Sequence, residues 1–242
     1  DSLPLSALEI SSQYSALKGP KYVNLVDAIR ENDIRAVERI TSIVSRDGLN
    51  LPANKWTPLG LSIGTSQAGD RLRILKHLLE KGADPNTLCS PDNDPPLFRA
   101  IGFKNLEAVD LLLKYGASVN NAHPHNTFFQ YPLEYAVEKN APDIVSFLLA
   151  NGVDPTLQSK KGDNALSVAV KDKNIDMVRV LLAHKCDPNM ISGDGERPLN
   201  IAVEYGLLRI VKKLLDIILK LAMYKSFLQK KNDRQFFFLS NL

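Results

Sequence analysis

Apolar residues fall at helical spacing in short runs, and the runs themselves recur. A leucine after a turn is followed three residues later by a small or slim residue: Leu25/Ala28, Leu59/Ser62, Leu97/Ala100, Leu133/Ala136, Leu166/Ala169 and Leu199/Ala202. Twelve residues after that leucine comes another apolar position (Val37, Val109, Val145, Val178, Val211), and three further on the next (Ile40, Leu112, Leu148, Leu181, Leu214). Spacings of three and four within each half predict two short helices per unit. Between the halves lie Asn32-Asp33, Lys104-Asn105, Asn140-Ala141, Lys173-Asn174 and Gly206; Asn and Gly tolerate the left-handed backbone that ends a helix. Paired leucines close each unit. Leu78-Leu79 leads to Gly82-Ala83-Asp84-Pro85-Asn86, Leu112-Leu113 to Gly116, Leu148-Leu149 to Gly152 and Leu181-Leu182 to Cys186-Asp187-Pro188-Asn189. The first leucines, at 78, 112, 148 and 181, recur at steps of 34, 36 and 33 residues. A fixed period in that range predicts stacked repeats, none of which buries its apolar face alone.

With these motifs in register, the chain resembles the ankyrin repeat family. Thr57-Pro58-Leu59, Pro95-Pro96-Leu97, Tyr131-Pro132-Leu133 and Arg197-Pro198-Leu199 match the T-P-L-H start of its repeat, and residues 82–86 match its closing turn. Proline is cheap at a helix start, where its missing N–H would be unpaired anyway. The resemblance implies an all-α solenoid of stacked helix-turn-helix units with short hairpin fingers. It covers roughly residues 21–219, about six units. The motif's histidine is absent, replaced by Gly60, Phe98, Glu134, Ser167 and Asn200, and its threonine survives only as Thr57. Hydrogen bonds made through those groups therefore cannot be carried over. The unit starting near Leu59 holds about four extra residues, within Ser66–Asp70. A two-helix repeat without a finger explains neither the Gly-Ala-Asp-Pro-Asn turn nor the period.

The ends of a stack must hide its open faces. Leu3, Ala7, Ile10, Tyr14 and Leu17 share one helical face, and Gly19-Pro20 stops the run, so residues 1–20 are expected to cap the front. At the back, residues 220–242 form an extension: the second helix of the last unit is expected to run to about Gln229, with Ile217, Ile218, Leu221, Phe227 and Leu228 closing the core. A basic, aromatic tail follows, in which Phe236-Phe237-Phe238-Leu239 either folds back or docks on a partner or a second copy.

Charge narrows the function. The formal net charge is +3, and the stretch from Asp216 onward, with five basic and two acidic residues, supplies all of it. Residues 1–215 are balanced, unlike the basic stripe that nucleic acid requires. Cys89 and Cys186 are the two cysteines, about three repeats apart, so no disulfide is expected; free thiols suit a reducing, intracellular and cytoplasmic setting. No signal peptide is visible, and a chain opening on Asp1 reads as a trimmed one. The most apolar run, Leu214–Leu228, is too short and too charged to span a membrane.

Catalytic constellations are missing. There is no Gly-rich phosphate loop, no H-E-x-x-H and no G-x-S-x-G, and Gly193-Asp194-Gly195-Glu196 lacks the spaced ligands of a calcium loop. His123-Pro124-His125 has no Cys, Asp or Glu close by to complete a zinc site and reads as an exposed loop. His77 and His184 read as polar-side residues of second helices. No cofactor, metal or catalytic residue is expected, and the chain is not read as an enzyme.

Binding is the remaining class. In the family, the finger tips and the exposed end of each first helix form the recognition surface, which the resemblance places here at tips including Trp56, Asp92, Phe128, Gln130 and Lys160, and at the inner positions Phe103, Lys139, Asp172 and Tyr205. Trp56 is the sole tryptophan, and the long finger from Asn120 to Tyr131 adds Phe129 beside Phe128. Large aromatics on exposed loops are the material of binding hot spots. The expected function is non-catalytic recognition of a protein partner. Two alternatives stand beside it: a substrate-recruiting arm of a larger enzyme, and an effector of an intracellular bacterium that engages host proteins.

Overall fold

The computed structural model describes residues 25–52, 56–64, 69–90, 93–123 and 130–239, with side chains as far as 226. No β-strand occurs among the described residues. The expected capping helix at 1–20, the aromatic pair Phe128-Phe129 and the side chains of Phe227, Leu228 and Phe236–Leu239 lie outside this set. The chain divides into two compact units, Asp1–Val153 and Asp154–Leu242.

In the first unit the pairs are α1 (Leu25–Arg30) with α2 (Ile34–Thr41), α4 (Pro58–Ser62) with α5 (Gly69–Glu80), α6 (Pro96–Gly102) with α7 (Leu106–Lys114), and α8 (Pro132–Glu138) with α9 (Pro142–Ala150); a one-turn helix, α3 (Arg46–Asn50), precedes the second pair. First helices touch first helices and second helices touch second helices from pair to pair, which gives an inner and an outer layer. The second unit contains α10 (Ala165–Lys171) with α11 (Ile175–Ala183), and α12 (Pro198–Glu204) with α13 (Leu208–Leu239), layered the same way.

Local chemistry sets these boundaries. Proline opens α4, α6, α8 and α12 at the first turn. Thr57 caps α4, its hydroxyl accepting from the Gly60 N–H at 3.1 Å. In α10 an Asn164/Ser167 capping box does the same work, so Ser167 fills the absent histidine's position with a local bond instead. Asp33, Asn105 and Asn174 cap α2, α7 and α11. The residue before each cap turns left-handed, with φ of 60° at Asn32, 52° at Lys104, 51° at Asn140, 58° at Lys173 and 64° at Gly206. Lysine has no intrinsic liking for that backbone; the need to reverse direction between packed helices overrides it.

The core follows the repeat. Ala28, Ala100, Ala136, Ala169 and Ala202 have no exposed surface, and Ser62 is buried. Leu78, Leu112, Leu148 and Leu181 are likewise fully enclosed; the second leucine is buried at Leu79 and Leu182 and half-buried at Leu113 and Leu149. An asparagine ladder ties the turns of the first unit together. The Asn50 side chain accepts from the Asp84 N–H (2.8 Å), Asn86 bridges Gly116 O (3.0 Å) and Ser118 N–H (2.8 Å), and Asn120 reaches Gly152 O. That ladder is the use made of the last residue in Gly-Ala-Asp-Pro-Asn.

Three expectations change. The extra residues near Leu59 partly enter α5, a twelve-residue second helix where α7, α9 and α11 have nine. Helix α13 runs to Leu239 rather than Gln229, since no Gly or Pro follows Gly206 to stop it. Its core-facing stripe is also shorter than expected: Ile210 and Leu214 are buried and Ile217 and Ile218 half-buried, but Leu221 is already 41% exposed, since among the described residues no further helix pair lies against it.

Glycine is required where backbones collide. A Cβ on Gly60 would lie 2.2 Å from the Cys89 carbonyl oxygen, while one on Gly152 would meet nothing within 4 Å and suffers only from its φ of +81°. Gly60→Ala should therefore cost about 3 kcal/mol through overpacking against backbone, and Gly152→Ala only about 1 kcal/mol. Urea unfolding of the two variants checks the ranking; equal losses would contradict the packing of the Cys89 finger on α4. Leu148→Ala should cost about 2–5 kcal/mol.

Candidate binding surface

A backbone bond joins the two sides of each finger. His123 N–H donates to Gln130 O (2.8 Å), Cys89 N–H to Asp94 O (2.9 Å), Ser159 N–H to Asp163 O (2.8 Å) and Ser192 N–H to Glu196 O (2.8 Å). The four inner positions named from the sequence all terminate first helices: Phe103 caps α6, Lys139 α8, Asp172 α10 and Tyr205 α12. A helix ending there leaves its last side chain at the rim of the inner layer. Phe103 is 38% and Tyr205 51% exposed.

In the first unit the predicted residues gather around one that sequence reasoning missed. Arg99 stands one helical turn before Phe103, on the same face of α6. Its guanidinium carbon lies 4.3 Å from the centre of the half-buried Trp56 ring and 4.9 Å from that of Phe103. Its Nε donates to the Gly60 carbonyl at 2.9 Å. Burial lowers the Arg99 guanidinium from its ordinary value, Cys89 and Asp94 oppose that, and nearby Arg71 adds to it. The cation thus sits between two aromatic faces, an arrangement worth about 0.5–2 kcal/mol.

One pair further along, Glu138 joins Gln130 to Lys139. The Gln130 side-chain amide donates to one carboxylate oxygen, and Lys139 Nζ lies 3.4 Å from the other. Lys139 also stands 4.8 Å over the Tyr135 ring. Burial, its largest influence, raises the Tyr135 phenol above its usual value, and Lys139 opposes this. Tyr135 leans on Phe98, which in turn meets the edge of His123 at 4.8 Å between ring centres. His123 is not on an exposed loop as expected. It is buried and bonds Asp94 Oδ1 at 2.9 Å, because the fold brings in a carboxylate 29 residues away. His77 likewise leaves the polar side to meet the buried Thr41 hydroxyl at 2.7 Å.

In the second unit Lys160 is an exposed finger residue and Asp172 an exposed helix end. Neighbouring Lys171 joins two fingers, pairing with Asp163 and, at 3.8 Å, with Asp194. Burial alone lowers its ammonium, but the Asp163 hydrogen bond and the charges of Asp163 and Asp194 outweigh it and hold the value above the ordinary one. The Gly193 N–H donates to Gly162 O at 2.6 Å, so the backbones of these fingers touch. Asp92, Phe128 and Phe129 lie outside the described residues. Among the described residues no three of His, Cys, Asp and Glu come close enough to share a metal ion. Both cysteines are free and buried; burial pushes the Cys89 thiol to about 12 and Cys186 to about 11.

This geometry has known counterparts. The ankyrin repeats family, in three copies, matches residues 25–123 and 133–221. The chain belongs to the ankyrin repeat family. Its fold is the all-α ankyrin-repeat solenoid, and the repeats mark it as a protein–protein interaction module. The ankyrin repeat domain of Bcl-3, of the IkappaB protein family, superposes with a TM-score of 0.71 at 24% identity, over 80% of this chain and 85% of that one. An ankyrin repeat domain from Acinetobacter baumannii gives a TM-score of 0.68 at 25% identity, over 80% and 96%. In sequence the chain is similar to E3 ubiquitin-protein ligase KEG of Arabidopsis thaliana, 28% identical over 57% of this chain, and to an ankyrin repeat protein of Rickettsia felis, 30% identical over 61%. The matched stretches span 9% and 49% of those two relatives. No described helix is long and apolar enough to cross a membrane.

Trp56 and Arg99 should be energetically coupled. A double-mutant cycle of Trp56→Leu and Arg99→Gln should return about 0.5–2 kcal/mol in thermal or urea unfolding, and Arg99→Gln should alter the emission of the sole tryptophan. Additive effects with unchanged fluorescence would contradict the stack.

Proposed function

We propose that this ankyrin repeat chain is a non-catalytic recognition module that holds a protein partner against its fingers and the ends of its inner helices. The observation that carries the reading is the Trp56–Arg99–Phe103 stack: two aromatic rings held in place by a cation, each still open to solvent. Aromatic and arginine side chains set rigidly at a surface are what hot spots are made of. Phe103 and Lys139 in the first unit, and Asp172 and Tyr205 in the second, sit at equivalent points of their repeats. The proposed finger contacts are Asp92, Phe128, Phe129 and Gln130 in the first unit and Lys160 in the second.

The proposed partner is a protein, with neither nucleic acid nor a lipid bilayer as target, and the proposed setting is intracellular, in keeping with two free thiols. Self-association is part of the proposal, since α13 exposes Leu215, Leu219 and Met223. A second reading, a substrate-recruiting arm of a larger enzyme, is favoured by the similarity to a ubiquitin-protein ligase many times longer than the matched stretch. An effector role in an intracellular bacterium is favoured by the similarity to the Rickettsia felis protein. Chain sequence beyond residues 1–242 separates these two from a free-standing module.

Photo-crosslinking amino acids placed at Phe103 and Tyr205, compared with Lys114 and Arg179 on second helices, test the surface. Crosslinks to partner proteins should form from the first pair of positions. Phe103→Ala should weaken capture by about 2 kcal/mol, roughly 30-fold, without loss of fold. Crosslinks confined to Lys114 and Arg179 would overturn the reading.

A further inference from the structure

Two guanidiniums meet at the C-terminal end of α4, and no described residue forms an ion pair with either. Arg99 Nε binds the Gly60 carbonyl at 2.9 Å, and Arg71 Nη1 reaches the next carbonyl, Leu61, at 3.5 Å. Consecutive carbonyls thus draw together cations from α6 and from the first turn of α5. They press on one another, and like charges brought together repel unless an anion lies between them. Among the described residues none supplies one within ion-pair distance. Asp94, the carboxylate that bears on Arg99, is bound to His123. Asp70, one residue from Arg71, pairs with Arg73 at 3.6 Å. Both arginines are half-exposed, and each guanidinium uses one protein hydrogen bond of its five donors. Trp56 and Phe103 flank Arg99 with apolar surface open to solvent.

We propose that this corner of the first unit is a carboxylate-recognition site, taking an acidic side chain of the partner protein, an aspartate or glutamate next to a large apolar residue. Resting on the interaction-module reading above, the inference adds the chemistry of the partner. The carboxylate bridges Arg71 and Arg99, accepting the paired N–H groups that a guanidinium presents to planar anions. The adjoining apolar side chain covers Trp56 and Phe103. Filling the site removes the repulsion between the arginines, so binding an acid is favoured over binding its amide. The held geometry of Arg99, against two aromatic rings and tied by Nε, lowers the ordering cost of the contact.

A random peptide library displayed on phage, so that chain ends are not free, is the probe. Against the purified chain it should enrich sequences with Asp or Glu beside Leu, Ile, Phe, Tyr or Trp. A synthetic peptide of the enriched sequence, followed by fluorescence anisotropy, should lose at least about tenfold in affinity with Arg71→Gln or Arg99→Gln, and lose as much when its own acid is replaced by the amide. The peptide-side change leaves the protein untouched, so it separates recognition from any loss of fold in the arginine variants. Arg99→Lys should recover only part of the affinity, and rising salt should weaken binding. Enrichment of peptides without acids that still depend on Trp56 overturns this inference and leaves the interaction module standing. Equal binding of acid and amide peptides overturns it as well. Failure to enrich any sequence counts against both.

Discussion

Within each unit a helix pair shares its core with the next pair, and that dependence rests on how closely first helices can approach. Ala28, Ser62, Ala100 and Ala136 in the first unit, and Ala169 and Ala202 in the second, present almost no side chain at the contact. Neighbouring backbones close over them, and enclosed aliphatic residues of the outer helices (Ile40, Leu78, Leu112, Leu148, Leu181, Leu214) fill the space behind. A larger residue at any of these points would lever two pairs apart, with cost passed only to the immediate neighbour, as in any stack of nearest-neighbour contacts. The fingers and the asparagine ladder follow from this spacing, because only at a fixed interval does Asn86 reach both Gly116 and Ser118.

Periodic features were legible in the sequence because they repeat a local rule. The helix pairs, the left-handed turns before each cap, the proline starts and the enclosed leucines could all be read from residues three to twelve apart. What could not be read depends on residues brought together from far along the chain. Arg99 meets Trp56 across 43 positions, and no spacing within either segment announces it; the nearest signal is an arginine one turn before an exposed phenylalanine. His123 reads from the sequence as part of an exposed loop, because nothing near it in the chain announces Asp94. Glu138 was passed over because it neighbours Lys139 in sequence, although its role is to tie Lys139 to Gln130. The overrun of α13 to Leu239 has no apolar signal, because core-facing spacing ends where the core ends while a helix continues as long as nothing breaks it.

The lost histidines show how a degenerate repeat compensates. Ser167 forms a capping box within its own helix, Phe98 becomes the anchor for His123 and Tyr135, and Gly60 makes room for a finger's backbone. These are three different local solutions at one repeat position. The third has an effect on the surface as well. With no side chain at 60, the carbonyl there is open to Arg99, and that bond fixes the guanidinium between its aromatic neighbours.

The two cysteines give the molecule a pair of internal clocks. Each compact unit holds one, enclosed and kept in its unreactive thiol form by burial; Cys89 is tied further by its Sγ–H to the Asp94 carbonyl at 3.1 Å. A thiol in that state is labelled only when its surroundings open. The time course of labelling at Cys89 records excursions of the first unit and that at Cys186 those of the second, so each unit can be timed at a residue it already carries.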